Sequence, residues 1–139
     1  MNMQGKLGRL LVTVCFGLVL FGRADAANKT KTAHAVIPFD FWIGDTKLPA
    51  GNYEMKHSTS PTLLVFTSSG DKEATEAFVL PINNDPVQES QAKLVFLVQH
   101  GQHYLYEAWG VYGKRIVTAQ YGMPTPTGDM RVEVPMVYQ

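Results

Sequence analysis

Apolar and polar residues alternate along most of the chain after residue 35, with the period of two that is typical of half-buried β-strands. Residues 35–43 place one apolar face on Ile37, Phe39, Phe41 and Ile43. Residues 52–57 repeat the pattern with Tyr53, Met55 and His57 predicted to point inward. Residues 62–67 form a continuous apolar run between breakers, which favours a strand over a helix. Residues 74–80 are ambiguous, because Ala and Glu suit a helix, but seven residues are too few for a stable isolated helix and the run into Pro81 favours a strand.

A β-hairpin over residues 93–109 is the strongest local signal. Two apolar runs flank Gly101-Gln102, which matches a two-residue turn with glycine first. This register predicts that His100 lies opposite His103 and Leu97 opposite Tyr106. Because both faces of the hairpin are apolar, we expect it to be covered on both sides or wrapped into a barrel.

These elements predict an all-β fold, a single antiparallel β-barrel or β-sandwich of about seven to eight strands over residues 35–122. Residues 27–34 are polar and predict a flexible lead-in. Residues 123–139 form a proline-containing tail in which Met130, Val132, Val134 and Met136 alternate with polar residues and Pro135. That alternation is typical of a last strand, and it leaves open whether the tail pairs within the chain or with another copy.

Residues 1–26 have the pattern of a cleavable signal peptide. Lys6 and Arg9 precede an apolar run of twelve residues, and Ala24-Asp25-Ala26 supplies a small-x-small cleavage pattern. A helix of that run spans about 18 Å, too short for a hydrocarbon core of ~30 Å. We therefore expect export to the periplasm, the outer surface or the medium, with no stable membrane span after processing.

Composition and the absence of certain motifs argue against several classes of function. Twelve basic residues balance twelve acidic ones, so the chain has no excess of positive charge with which to neutralise nucleic acid. The single cysteine, Cys15, lies in the predicted signal peptide, so the mature chain has neither a disulfide nor a thiol nucleophile. No Gly-x-Ser-x-Gly element and no glycine-rich phosphate loop is present.

Histidines at the hairpin are the candidate metal ligands. His100 and His103 flank the predicted turn, and Glu107 would share their face four residues later. The string resembles the first metal motif of cupins, but that motif separates its two histidines by one residue on a strand. The alternative is a solvent-exposed histidine pair at a hairpin tip. A divalent transition metal is accordingly the one cofactor considered.

Aromatic residues are the second set of candidate functional residues, because exposed rings of Tyr and Trp stack on sugars and polymers. Trp42 lies opposite the apolar face of its strand, Tyr112 falls in a turn, and Trp109 ends the hairpin. We consider these three as candidate ligand-binding residues, the alternative being that most rings pack in the core.

Four segments carry a resemblance to a group of small exported all-β proteins of soil acidobacteria and related bacteria. They are Pro38-Phe39-Asp40-Phe41, Leu48-Pro49-Ala50-Gly51-Asn52-Tyr53, residues 63–70 and residues 93–109. The resemblance covers residues 35–120 and implies an exported all-β domain, with no catalytic residues to transfer.

We therefore expect an exported, non-catalytic β-domain that acts as an envelope or extracellular binding or structural module. Its partner would be another copy of itself or a cell-surface polymer. The alternatives are a small-ligand or carbohydrate binder that uses exposed aromatic rings, and a cupin-like metalloenzyme that uses His100, His103 and Glu107.

Overall fold

A computed structural model of the protein describes residues 31–57, 62–70 and 73–139. The predicted signal peptide and the first residues of the lead-in lie outside the described residues. The strands are β1 (Ala33–Ile37), β2 (Phe41–Ile43), β3 (Thr46–Leu48), β4 (Gly51–His57), β5 (Leu63–Ser68), β6 (Ala74–Asn83), β7 (Lys93–Gln99), β8 (Gln102–Gly110), β9 (Gly113–Val117), β10 (Arg131–Pro135) and β11 (Val137–Tyr138). Short 3₁₀ turns cover Glu89–Gln91, Thr118–Gln120 and Gly128–Met130. None of the described residues forms a helix long and apolar enough to cross a bilayer.

One sheet contains all eleven strands, which confirms the all-β class. Its order is β10-β7-β8-β9-β6-β5-β4-β1-β11, and the β2–β3 hairpin attaches to β8. The sheet is mixed rather than wholly antiparallel, because β2 pairs with β8 in parallel at Trp42 and Tyr104. The strand order is not closed, although β10 and β11 at its two ends are separated along the chain only by Met136.

Among the described residues, one apolar core lies on one face of this sheet and draws residues from β1, β2 and β4 through β10. The inward positions predicted for β4 are confirmed for Tyr53 and Met55, which are both buried. Phe41 packs edge-on against Tyr53 and Phe96, with ring centroids 5.2 and 5.6 Å apart. Such edge-to-face contacts add to the burial of large rings, so these aromatic residues dominate the core.

The predicted strand over residues 35–43 is two strands, separated by Pro38-Phe39-Asp40. Pro38 has no N–H to donate to a ladder, and the chain turns there from its pairing with β4 to the β2–β3 hairpin. Breaks of this kind, here and between β10 and β11, together with the short strand β3, raise the strand count above the seven to eight predicted.

The predicted register of the β7–β8 hairpin is wrong. Leu97 pairs with Tyr104, and the turn consists of His100 and Gly101, whose φ angles are 50° and 73°. Two consecutive positive φ values define the type I′ turn, whose twist matches that of the strands. A bulge opposite Val95 and Phe96 then shifts the register once more along β8.

The C-terminal tail pairs within the chain. Residues of β10 pair with β7 from Arg131–Leu97 to Pro135–Lys93, and β11 pairs with the start of β1. Before β10, the segment that follows β9 crosses the outer face of the sheet, where the Tyr106 hydroxyl donates to the Met123 carbonyl at 2.7 Å. This cover explains why β8 is apolar on both faces.

Candidate functional site

The three candidate metal ligands do not meet. His100 is exposed in the turn, and the His103 ring stacks on Phe39, 3.8 Å between centroids, on the core side. The bulge in β8 places Glu107 on the opposite face, where it accepts a hydrogen bond from Trp109 Nε1 at 2.6 Å. Among the described residues, no three His, Cys, Asp or Glu side chains form a group that could hold a metal ion.

Trp109 lies on the outer face of β8, and each of the two neighbouring strands places a lysine ammonium group over its ring. Lys93 on β7 and Lys114 on β9 are its register partners, and their Nζ atoms lie 4.2 and 3.9 Å from the ring centroid. Cations held over an indole in this way stabilise it and occupy the faces on which a sugar would stack. The arrangement therefore favours a structural role for Trp109.

The other two aromatic candidates lie near opposite ends of β8. Trp42 pairs with Tyr104, and its Nε1 donates to Gln102 Oε1 at 3.2 Å. Tyr112 is 39% exposed in the β8–β9 turn and contacts His57 edge-on, 4.4 Å between ring centroids. Tyr104 lies five residues before Trp109, a separation of roughly 17 Å at ~3.4 Å per residue. The structure does not bring the three predicted rings together.

A pocket forms instead on the core side of the sheet, where β4 and β8 end and β9 begins. Its apolar walls are Ala33, Met55, Leu64, Ala108 and Met136, and its polar lining is Lys31, His57, Arg115 and Tyr138. The cavity has a volume of about 20 Å³, which admits about one water-sized group. Two of its walls are methionines, whose unbranched side chains can rearrange to admit more atoms.

Arg115 is the central polar group of this pocket. It is inward-facing on β9, between Gly113 and Val117, and only 7% exposed. Its Nη1 donates to the Asn83 carbonyl at 3.0 Å, while its Nε has no hydrogen-bond partner among the described residues. No described carboxylate forms an ion pair with it. A buried guanidinium without a counter-charge is costly, and such groups concentrate at functional sites.

Tyr138 approaches the pocket from the C-terminal strand. Its hydroxyl accepts a hydrogen bond from the Val111 N–H at 3.2 Å and lies against Gly110, where a Cβ atom would overlap it. Burial raises the pKa of Tyr138 above its ordinary value of 10.0. The phenol therefore stays protonated at neutral pH, and no described residue accepts its proton.

The pocket mouth carries an ion pair between exposed side chains. Lys31 Nζ lies 2.8 Å from Glu89 Oε1, and this hydrogen bond raises the pKa of Lys31. Because both side chains are more than half exposed, the pair contributes little to stability. Arg115 is thus the one unpaired cation among the described residues that line the pocket.

Comparisons with models of protein families, with curated proteins and with solved structures found no match to this chain.

Sequence reasoning predicted His57 to point inward but assigned no role to Arg115 or Tyr138. A usable signal was present for Arg115, since it shares the strand face of Val117 in a period-two pattern. No comparable signal marks Tyr138, because its place in the pocket depends on the pairing of β11 with β1, over a hundred residues away.

His57 provides a pH-dependent test of the pocket. Burial, followed by the positive charge of Arg115, lowers the pKa of His57 below its ordinary value of 6.5. The unfolded chain then binds a proton more readily, so stability present above about pH 6.5 is lost as the pH falls toward the folded-state pKa. We expect His57→Gln to reduce this loss in urea denaturation series between pH 7.5 and 5.

The matched control is His100→Gln, which alters an exposed turn residue. An equal pH dependence in His57→Gln and the wild type would contradict the burial of this imidazole. NMR titration of the ring protons should also give His57 a pKa below 6.5.

Proposed function

We propose that this protein is an exported, non-catalytic β-domain that binds a small ligand in the pocket between the ends of β4 and β8. The observation that carries the proposal is the convergence of His57, Arg115 and Tyr138 on a cavity with otherwise apolar walls. Pockets that combine apolar surface with a few convergent polar groups are the usual form of small-ligand sites. Export is supported by the sequence pattern of residues 1–26.

Binding rather than catalysis is supported by the kinds of group present. None of the described lining residues has a carboxylate or a thiol. Arg115 is permanently charged, and the raised pKa of Tyr138 makes its phenol a poor base. Such groups hold and orient a ligand, whereas acid–base chemistry uses a partner that exchanges protons near neutral pH, and only His57 could do so.

The aromatic alternative has weaker support. Trp109 has lysine ammonium groups over its ring, and Trp42 lies near the far end of β8 from the pocket. Tyr112 is the one predicted aromatic residue adjacent to the pocket, through its contact with His57. We therefore place the ligand beside Tyr112 and not on the face that carries Trp109.

Methionine methyl groups allow a direct test, because the chain has methionines both in the pocket and on the surface. Met55 and Met136 line the cavity, whereas Met123 and Met130 are exposed. We expect at least one of propionate, propanol and propionamide to shift the ¹³C-methyl resonances of Met55 and Met136 saturably. Met123 and Met130 serve as internal controls and should not respond. Saturable shifts confined to the exposed pair, or none with any probe, would overturn the proposal.

A further inference from the structure

The hydrogen bonding of the Arg115 guanidinium indicates which class of ligand the pocket can bind. Nη1 is held by backbone carbonyls, donating to Asn83 at 3.0 Å and to Lys114 at 3.3 Å. These carbonyls are neutral and leave the positive charge uncompensated. Nε, which is also buried, has no described acceptor. The side chain is thus held by two backbone carbonyls, while its buried Nε is unpaired and no described carboxylate balances its charge.

The other described residues that line the pocket contribute hydrogen-bond donors and no carboxylate. His57 has a lowered pKa, so its imidazole is neutral at pH 8 and adds no second cation to the pocket. The Tyr138 phenol is protonated and can donate, since its oxygen already accepts from Val111. The Glu89 carboxylate at the pocket mouth is paired with Lys31. An entering anion would therefore meet a cation and a hydroxyl donor, with no carboxylate facing it from the described lining.

We infer that the ligand carries a single small anionic group, a carboxylate or a comparable oxoanion, which Arg115 neutralises while an apolar portion contacts Met55 and Met136. This inference rests on the proposed binding function and specifies its ligand class. The geometry suits a carboxylate because guanidinium donors match its oxygens and the interaction is charge-assisted. The cavity admits only a small head group without rearrangement, and the methionine walls suit a short alkyl tail.

Size favours a short anion. The cavity of about 20 Å³ holds about one water-sized group, so a nucleotide or a sugar phosphate would require a much larger displacement of the walls than a short carboxylate. The five apolar walls also give such polar ligands few hydrogen-bond partners. A short-chain monocarboxylate satisfies both the charge of Arg115 and the apolar walls.

The test compares two probes of nearly equal shape, propionate and propionamide, on the full-length protein at pH 8. Binding is followed by the methyl resonances of Met55 and Met136 and by the Nε–Hε resonance of Arg115. We expect propionate to bind about tenfold more tightly or better, because a hydrogen bond to a charged group is worth more than one to a neutral group. The Arg115 resonance should move with propionate only.

Two variants test whether Arg115 causes the preference for propionate over propionamide. Arg115→Gln should abolish the preference for propionate, leaving the two probes with equal affinity. Arg131→Gln is the matched control, because Arg131 is already paired with Glu133 at 3.0 Å on the outer face and should leave the preference unchanged. If Arg115→Gln does not fold, the comparison of the two probes on the wild-type protein still decides the question.

Three results would contradict these proposals in different ways. Equal binding of propionate and propionamide to the wild-type pocket would overturn the anionic ligand class and leave the binding function intact. Absence of any response of Met55 and Met136 to both probes and to propanol would overturn the binding function as well. A preference that survives in Arg115→Gln and disappears in Arg131→Gln would place the anion on the outer face and would also overturn the inference.

Discussion

Replacing Phe96 with alanine is expected to lower the free energy of unfolding by about 3–5 kcal/mol. Phe96 has no exposed surface, and its ring lies edge-on to Phe39 and Phe41 at centroid distances of 4.9 and 5.6 Å. Truncation removes both contacts and leaves a cavity between β7 and β2 that fixed strands cannot close. Urea denaturation monitored by circular dichroism measures the loss.

The matched control is Phe78→Ala, in which the same side chain is removed from a site that is 61% exposed. We expect its effect to stay within about 0.5 kcal/mol, as for most surface substitutions. Equal losses for Phe96→Ala and Phe78→Ala would contradict the placement of the core on the face of the sheet that holds Phe96.

Gly113→Ala is the second large effect expected. Gly113 has a φ of 97°, and a Cβ atom built there would overlap the Asn83 carbonyl oxygen and lie 3.0 Å from the Asn84 Cα. Both neighbours are backbone and cannot rotate away. The unfavourable φ alone costs about 1–3 kcal/mol, and displacement of Asn83 adds to it. Because the Asn83 carbonyl holds Arg115, this variant should also weaken binding of propionate.

Gly122→Ala separates the cost of the positive φ from the cost of the overlap with backbone atoms. Gly122 has a similar φ of 84°, but no atom lies within 4 Å of the position that its Cβ would occupy. This variant has the backbone cost alone, so we expect a loss of about 1–3 kcal/mol, smaller than that of Gly113→Ala, and no change in propionate affinity. If Gly113→Ala and Gly122→Ala lost the same stability, the close approach of β9 to Asn83 would be contradicted.

Strand positions could be predicted from sequence where local alternation decided them. Tyr53 and Met55 on β4 alternate with polar neighbours, and β6, predicted over residues 74–80, is indeed a strand and extends further to Asn83. In both cases one face of a strand meets one core, so the residue pattern alone shows which side points inward.

The hairpin register could not be predicted, because it depended on the conformation of one residue. Gly101 was expected to begin the turn, but His100 adopts a positive φ of 50° and begins it instead. Such a conformation is uncommon for a residue other than glycine, although histidine is among the side chains that tolerate it. A shift of the turn by one residue changed the cross-strand pairs, and the bulge further along β8 separated Glu107 from His103.

The candidate pocket could not be predicted from the sequence for a different reason. Alternation with Val117 points Arg115 inward, although an arginine is usually found at the surface, and the pairing of β9 with β6 and β8 encloses it. Met136 and Tyr138 reach the same pocket from the opposite end of the strand order. Sequence patterns report the face of each strand, whereas the pocket depends on which strands become neighbours.

The most direct test of an anion site at Arg115 is a crystal structure of the protein soaked in sodium bromide, with bromide located by its anomalous scattering. We expect a bromide ion in the pocket, within hydrogen-bonding reach of the Arg115 guanidinium and the Tyr138 hydroxyl. Bromide found only beside Lys93, Lys114 and Arg131 on the outer face, with none at Arg115, would contradict it.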